Sequence, residues 1–110
     1  MELWTEWAPF PDPRRQEFLN APLGPGVYEL RRRETRELVL RGQGRNCAYR
    51  MTSLLPAPLG QGTRNNQEKR DYVFENLQNI EYRSCACETQ GDAKELEAQL
   101  NKNMPCLFPT

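Results

Sequence analysis

Apolar positions change their spacing several times along the chain, and each change marks an element. The first twelve residues, MELWTEWAPFPD, set two Trp and a Phe among prolines, which suits an arm lying on a core without being regular itself. Asp12 and Pro13 read as a cap and first turn, opening a short helix through RRQEFL that stops before Pro22. From Gly26 the runs GVYELR and RELVLRG flank a polar connection at Arg33-Glu34-Thr35, and this predicts an antiparallel hairpin of 26–32 with 36–42.

Gly42 and Gly44 then release the chain, Asn46 caps, and CAYRMTSLL carries Cys47, Met51, Leu54 and Leu55 on one helical face until Pro56 and Pro58 end it. APLGQGTRNNQ is a loop by its Pro, Gly and Asn content. A second helix is expected over 67–79, with Val73, Leu77 and Ile80 spaced for burial, and IEYRSCACE alternates as a third strand. A last helix over 92–103 sets Ala93, Leu96, Leu100 and Met104 on one stripe. The order β-β-α-α-β-α makes an α/β chain of the α+β type: a small three-stranded antiparallel sheet flanked by helices. Residues 1–21 form the arm and short helix, and 22–110 the domain proper.

At 110 residues there is room for one core. Lys and Arg (15) balance Asp and Glu (15), so any attraction for nucleic acid has to be local. Between residues 31 and 50 it is local: Arg31, Arg32, Arg33, Arg36, Arg41, Arg45 and Arg50 face only Glu34 and Glu37. The same run also reads as a solvated hairpin edge that discourages strand pairing. No apolar stretch is long enough for a bilayer and no leader pattern opens the chain, so a soluble, cytoplasmic protein without membrane association is expected. The four cysteines, Cys47, Cys85, Cys87 and Cys106, have no histidine beside them and only one C-x-C spacing. Reduced, mostly buried thiols fit that pattern better than a zinc site.

One acid fits a purely structural reading poorly. With about 100° per residue and Ala93 at zero, the last helix's apolar stripe spans roughly 300° to 20°, and Glu97 falls at roughly 40°. Glu95 falls at roughly 200°, toward solvent. A carboxylate at a core margin is paired, protonated or bound to a cation, so Glu97 is either an ion-pair partner of an arginine or a hard-oxygen ligand for an ion such as Mg²⁺.

Together these motifs resemble the GIY-YIG nuclease family. Gly26-Val27-Tyr28, preceded by Pro25, is similar to the family's opening Gly-hydrophobic-Tyr. Leu40-Arg41-Gly42 stands as a degenerate form of its second triplet, with Leu40 where the family has tyrosine. GQGRNCAYRMTSLL looks like the turn and helix of the catalytic domain of bacterial excision-repair nucleases, and DAKELEAQLNKNMP like its closing helix. Gln43 stands where those enzymes commonly carry a basic residue, and the closing asparagine motif is missing.

The resemblance implies a metal-dependent endonuclease that hydrolyses phosphodiester bonds in DNA, with Mg²⁺ or Mn²⁺ as cofactor. Tyr28, Arg50 and Glu97 would form the catalytic set, Glu97 as the metal ligand, Arg50 on the phosphate and Tyr28 on the attacking water. Since a phenol titrates near pH ~10, a base role for Tyr28 requires cationic neighbours, for which Arg41, Arg45 and Arg50 are the candidates. Arg41, Arg45, Arg64, Asn65, Lys69 and Arg70 would bind nucleic acid, DNA in preference to RNA, with Asn66 as a helix cap. The protein would be structure-selective or weakly specific, or a protein partner would supply the specificity. The alternative is a nucleic-acid-binding module that keeps the fold with weak or no turnover.

Overall fold

Tyr28 and Leu30 point to one face of a central strand while Val27 and Glu29 point to the other, and the two faces are built from different chemistry. The computed structural model describes residues 4–12, 19–51 and 67–108, the side chains of Gln67 and Arg70 excepted. Its strands are β1 (Ala8–Pro9), β2 (Gly26–Arg32), β3 (Leu38–Gly44) and β4 (Ile80–Ala86), and they form one sheet in the order β1-β4-β2-β3. Each neighbouring pair is antiparallel. The helices are α1 (Cys47–Met51), α2 (Gln67–Glu75) and α3 (Gln90–Asn103), with a 3₁₀ turn at Leu77–Asn79 leading into β4. The α+β class expected from the sequence holds, but the sheet has four strands where three were expected.

The additional strand comes from the arm. Thr5 N–H donates to the Ser84 carbonyl at 2.9 Å, Ser84 N–H donates to Thr5 Oγ1 at 3.0 Å, and Phe10 N–H donates to the Ile80 carbonyl at 2.9 Å. Left uncovered, this edge of β4 would present unpaired backbone groups. Pro9 is tolerated because β1 is outermost, where a missing N–H breaks no ladder. At the opposite edge, Leu107 and Phe108 N–H groups donate to the Leu38 and Val39 carbonyls at 3.0 and 2.8 Å, so β3 is covered as well.

The hairpin begins its return strand two residues later than the hydrophobic pattern predicts, at Leu38 instead of Arg36. Arg36 has φ of 61°, a left-handed conformation that cannot continue a strand, and Arg32 N–H closes the turn on the Glu37 carbonyl at 2.9 Å. A bulge at Leu30/Arg31 follows, and the resulting register sets Tyr28 directly opposite Gly42 on β3 and Ser84 on β4. The helix expected over 67–79 stops at Glu75, where the Asn76 side-chain amide bonds the Tyr72 carbonyl at 2.9 Å. α3 starts at Gln90, earlier than expected, because Thr89 Oγ1 caps it by accepting Asp92 N–H at 3.0 Å. Its buried stripe is Ala93 and Leu96 with Leu100 half-buried; Met104 lies past the last turn and is exposed. The short helix through RRQEFL, apart from Leu19, and the helix positions Leu54 and Leu55 lie outside the described residues.

On the Tyr28 face, Leu30, Leu40, Tyr82 and Phe10 pack with Cys47 and Met51 of α1 and Val73 of α2. On the other face, Val27 and Cys85 pack with Ala93 and Leu96 of α3 and with Trp4 of the arm. That second face also holds charge. Glu29 is fully buried and accepts from Arg41 Nε at 2.8 Å and from Arg83 Nε at 2.8 Å. Arg41, itself 1% exposed, uses its remaining donors on Asn101 Oδ1 at 2.8 Å and the Met104 carbonyl at 3.0 Å, and so ties β3 to the end of α3. The Arg83 guanidinium stacks on Trp4 and Trp7 at 4.2 and 4.7 Å, which joins the arm to the same network.

Removing one member of a buried ion pair leaves an uncompensated charge. Arg41→Met is therefore expected to lower the unfolding free energy by about 3 kcal/mol in urea titrations. The double variant Glu29→Gln/Arg41→Met should regain a substantial part of that loss.

Candidate active site

Among the described residues, Tyr28 lies where Gly42, Arg50 and Glu97 bear on one another. Its ring lies across Gly42, where any Cβ would collide with the ring and hydroxyl, so the backbone of β3 has to be bare at this point. Gly44, two residues on, has the Arg50 stem over it: a Cβ there would sit 3.2 Å from Arg50 Cβ. The two glycines thus seat the tyrosine and the arginine side by side. Gly26 is equally constrained, with the Cys85 carbonyl 2.8 Å and Cys47 Cβ 3.2 Å from the position a Cβ would take.

The three residues singled out in the sequence act on one another. Burial, the largest influence, pushes the Tyr28 phenol up to about 12. Arg50 opposes this through its charge, while Cys47 and Glu97 add to the rise. Burial also holds the Glu97 carboxyl above the ordinary carboxylate range, against the pull of Arg50, Arg41 and Lys69. Among the described residues Glu97 has no ion-pair partner in contact, so the ion-pair alternative for this acid is not realised there. Phenol, guanidinium and carboxylate therefore come from β2, α1 and α3 to one place.

The remaining sequence-predicted residues divide. Arg45 is exposed at the head of α1, and Lys69 is half-buried on α2 with its charge felt at Glu97. Arg64, Asn65 and Asn66 lie outside the described residues, as does the side chain of Arg70. Arg41 is a correction: its guanidinium is enclosed by Glu29, Asn101 and Met104 and offers no surface for nucleic acid. It acts on the site only at a distance, by lowering the Glu97 pKa. The cationic surroundings expected to favour a Tyr28 phenolate also do not prevail, since burial outweighs Arg50.

Leu40 is 1% exposed within the apolar core, so no hydroxyl stands at that position of the second triplet. The Gln43 side-chain oxygen is buried without a hydrogen-bond partner among the described residues. Two features escaped the sequence reading: Glu29 as the counterion of Arg41, and Lys69 as a neighbour of Glu97. Cross-strand alternation on β2 and β3 was the available signal for the first; nothing in the sequence marks the second.

Among the described residues no three acidic, histidine or cysteine side chains converge on a metal-sized point, which leaves Glu97 as a single carboxylate donor. A half-buried, unpaired carboxylate is a fit to a small hard cation that keeps most of its water shell, as Mg²⁺ does. A separate cleft of about 340 Å³ beside α3 is lined by Cys87, Glu88, Asp92 and Glu95, and its anionic wall is unsuited to a phosphodiester.

The fold has solved counterparts. The chain is similar to the crystal structure of the GIY-YIG N-terminal endonuclease domain of UvrC from Thermotoga maritima bound to its catalytic divalent cation, magnesium, with a TM-score of 0.64 and 22% identity over 92% of this chain and 100% of that one. A tyrosine-to-phenylalanine point mutant of the same domain, bound to its catalytic divalent cation, matches with a TM-score of 0.62 and 23% identity, again over 92% and 100% of the two chains. No family model and no curated protein matches the sequence. The chain has a GIY-YIG-like fold.

A carboxyl held above its ordinary pKa makes folding take up protons between the two values, so stability falls as pH rises through that window and the full cost is present above the raised pKa. Glu97→Gln is accordingly expected to raise Tm at pH 7, with the gap closing as pH drops below the ordinary carboxylate range. Mg²⁺ or Mn²⁺ should raise Tm of the wild type and leave that of Glu97→Gln unchanged, read by differential scanning fluorimetry.

Proposed function

We propose that this chain is a metal-dependent endonuclease that hydrolyses phosphodiester bonds in nucleic acid, DNA in preference to RNA. The observation that carries the reading is the mutual action of Tyr28, Arg50 and Glu97, drawn from three separate elements, beside glycines that leave the backbone bare. Hydrolysis adds charge to an already anionic phosphate, and the site sets fixed positive charge where that increase occurs.

In this reading Arg50 grips the non-bridging oxygens through its forked donors. Glu97 offers the carboxylate oxygen that holds a divalent cation, and the cation, when bound, supplies charge stabilisation for the leaving oxygen. Tyr28, with its pKa pushed up to about 12, is a neutral phenol at physiological pH. Its hydroxyl orients the attacking water; proton removal from that water awaits an acceptor brought with the substrate or its solvent. Arg45 and Lys69 hold the flanking backbone. No disulfide joins cysteines among the described residues, which agrees with work in the reducing cytoplasm, and a protein partner supplies the address.

A second reading, a nucleic-acid-binding module with weak or no turnover, is favoured by Leu40: a leucine enclosed in the core cannot serve the water or the phosphate. The comparison that separates the two uses wild type, Glu97→Ala and Arg50→Ala on nicked, branched and single-stranded DNA and RNA, with Mg²⁺ and with chelator. Cutting that needs the metal and drops on the order of a hundredfold or more in either variant is the expected result. Equal, salt-sensitive binding by wild type and Glu97→Ala without any cutting would establish the module instead.

A further inference from the structure

The rim of the site carries apolar surface that the proposed chemistry does not use. Ala48 N–H donates to the Pro22 carbonyl at 2.8 Å and Cys47 N–H to the Gly24 carbonyl at 2.9 Å, which fastens the segment before β2 onto the first turn of α1. Leu23, between those two carbonyls, is 79% exposed. Tyr49, the residue after Ala48 and immediately before Arg50, is 62% exposed. Its backbone N–H is held by Asn46 Oδ1 at 3.0 Å, so its place on the helix is fixed. The segment that carries the exposed Leu23 is thus hydrogen-bonded to the first turn of the helix that carries the exposed Tyr49, next in sequence to Arg50.

The charge around this pair points to its occupant. From Glu37 to Glu68 the chain has no acidic residue between them; Arg50 follows Tyr49 on α1, and Arg45 lies exposed just before that helix. Cations beside an aromatic surface are the arrangement by which proteins hold single-stranded nucleic acid: the backbone runs along the charge and a base lies on the ring. A base in an intact duplex is already stacked on both faces and has none to offer, whereas an apolar side chain such as Leu23 adds contact to a base that has left its stack.

We infer that Leu23 and Tyr49 form a shelf for one unpaired nucleobase next to the phosphate on Arg50, which makes the substrate class of this site an unpaired or branched strand and not uniform duplex. The inference rests on the reading of Arg50 as a phosphate ligand. It assigns Tyr49 to strand selection and leaves it outside the chemical step.

Binding measured in chelator tests it apart from cleavage. Fluorescence anisotropy of labelled single-stranded DNA, single-stranded RNA and duplex DNA of one sequence would be read with wild type, Tyr49→Ala, Tyr49→Phe and Leu23→Ser, with circular dichroism to verify folding. Wild type is expected to favour the single strands. Tyr49→Ala should weaken that binding by about five- to a hundredfold, Leu23→Ser by less, and Tyr49→Phe should retain it. The two single-stranded arms then tell whether the sugar matters. Equal affinity of wild type for duplex and single strand, or unchanged single-strand binding by Tyr49→Ala, overturns the shelf even if the protein cuts DNA. Tyr49-dependent strand binding without any cutting upholds the shelf while the nuclease reading fails.

Discussion

A carboxylate with no access to water sits at the middle of the central strand, and the sheet is arranged to set two guanidinium groups against it. Glu29 on β2 meets Arg41 from β3 on one side and Arg83 from β4 on the other, so all three long strands share a single ionic contact. Burial of an ion pair is poor evidence for net stability, because the desolvation of two charges offsets most of their attraction. It is a strong constraint on register, however. A slip of one residue in β2, β3 or β4 would strand a buried charge among apolar side chains, and the same register sets Tyr28 over Gly42. The geometry of the site is therefore inherited from the opposite face of the sheet.

The network also reaches α3. Arg41 spends Nη1 on Asn101 and on the carbonyl of Met104, at the closing turn of the helix that carries Glu97, while Nη2 stays on Glu29. Arg50 is held differently, by close packing of its stem on Gly44 and by the short helix that Asn46 caps. An acid secured through an ionic clamp and a base secured through glycine contact meet at a phenol that burial keeps protonated. Positioning is over-determined, and each of the three groups depends on a different physical device.

Much of this was legible along the chain. Apolar period two and period three-point-six, interrupted by glycine and proline, mark β2, β3, β4, α2 and α3, and the position of Glu97 beside the Ala93-Leu96 stripe separates it from Glu95. The arm strand was not, because two residues containing a proline carry no period and acquire their conformation only from β4. The turn at Arg36 was missed since an arginine in left-handed backbone leaves no compositional trace. Arg41 was misassigned for a related reason: counting charge along a run ignores which face each side chain takes, and strand alternation had already set it opposite Glu29. Lys69 reaches Glu97's surroundings only through tertiary placement of α2.

Both outer borders of the sheet are finished by segments remote in sequence. Residues 4–10 lie along β4, with Thr5 and Ser84 separated by 79 positions, and residues 107 and 108 lie along β3. During synthesis on the ribosome the arm emerges long before its partner, and β3 waits for residues 107 and 108 to leave the exit tunnel. A chain whose closing contacts are so non-local pays loop entropy before it gains them, so it folds slowly and as a whole. Until then its bare strand edges are open to neighbouring nascent chains, which makes the yield of native protein sensitive to the rate of expression.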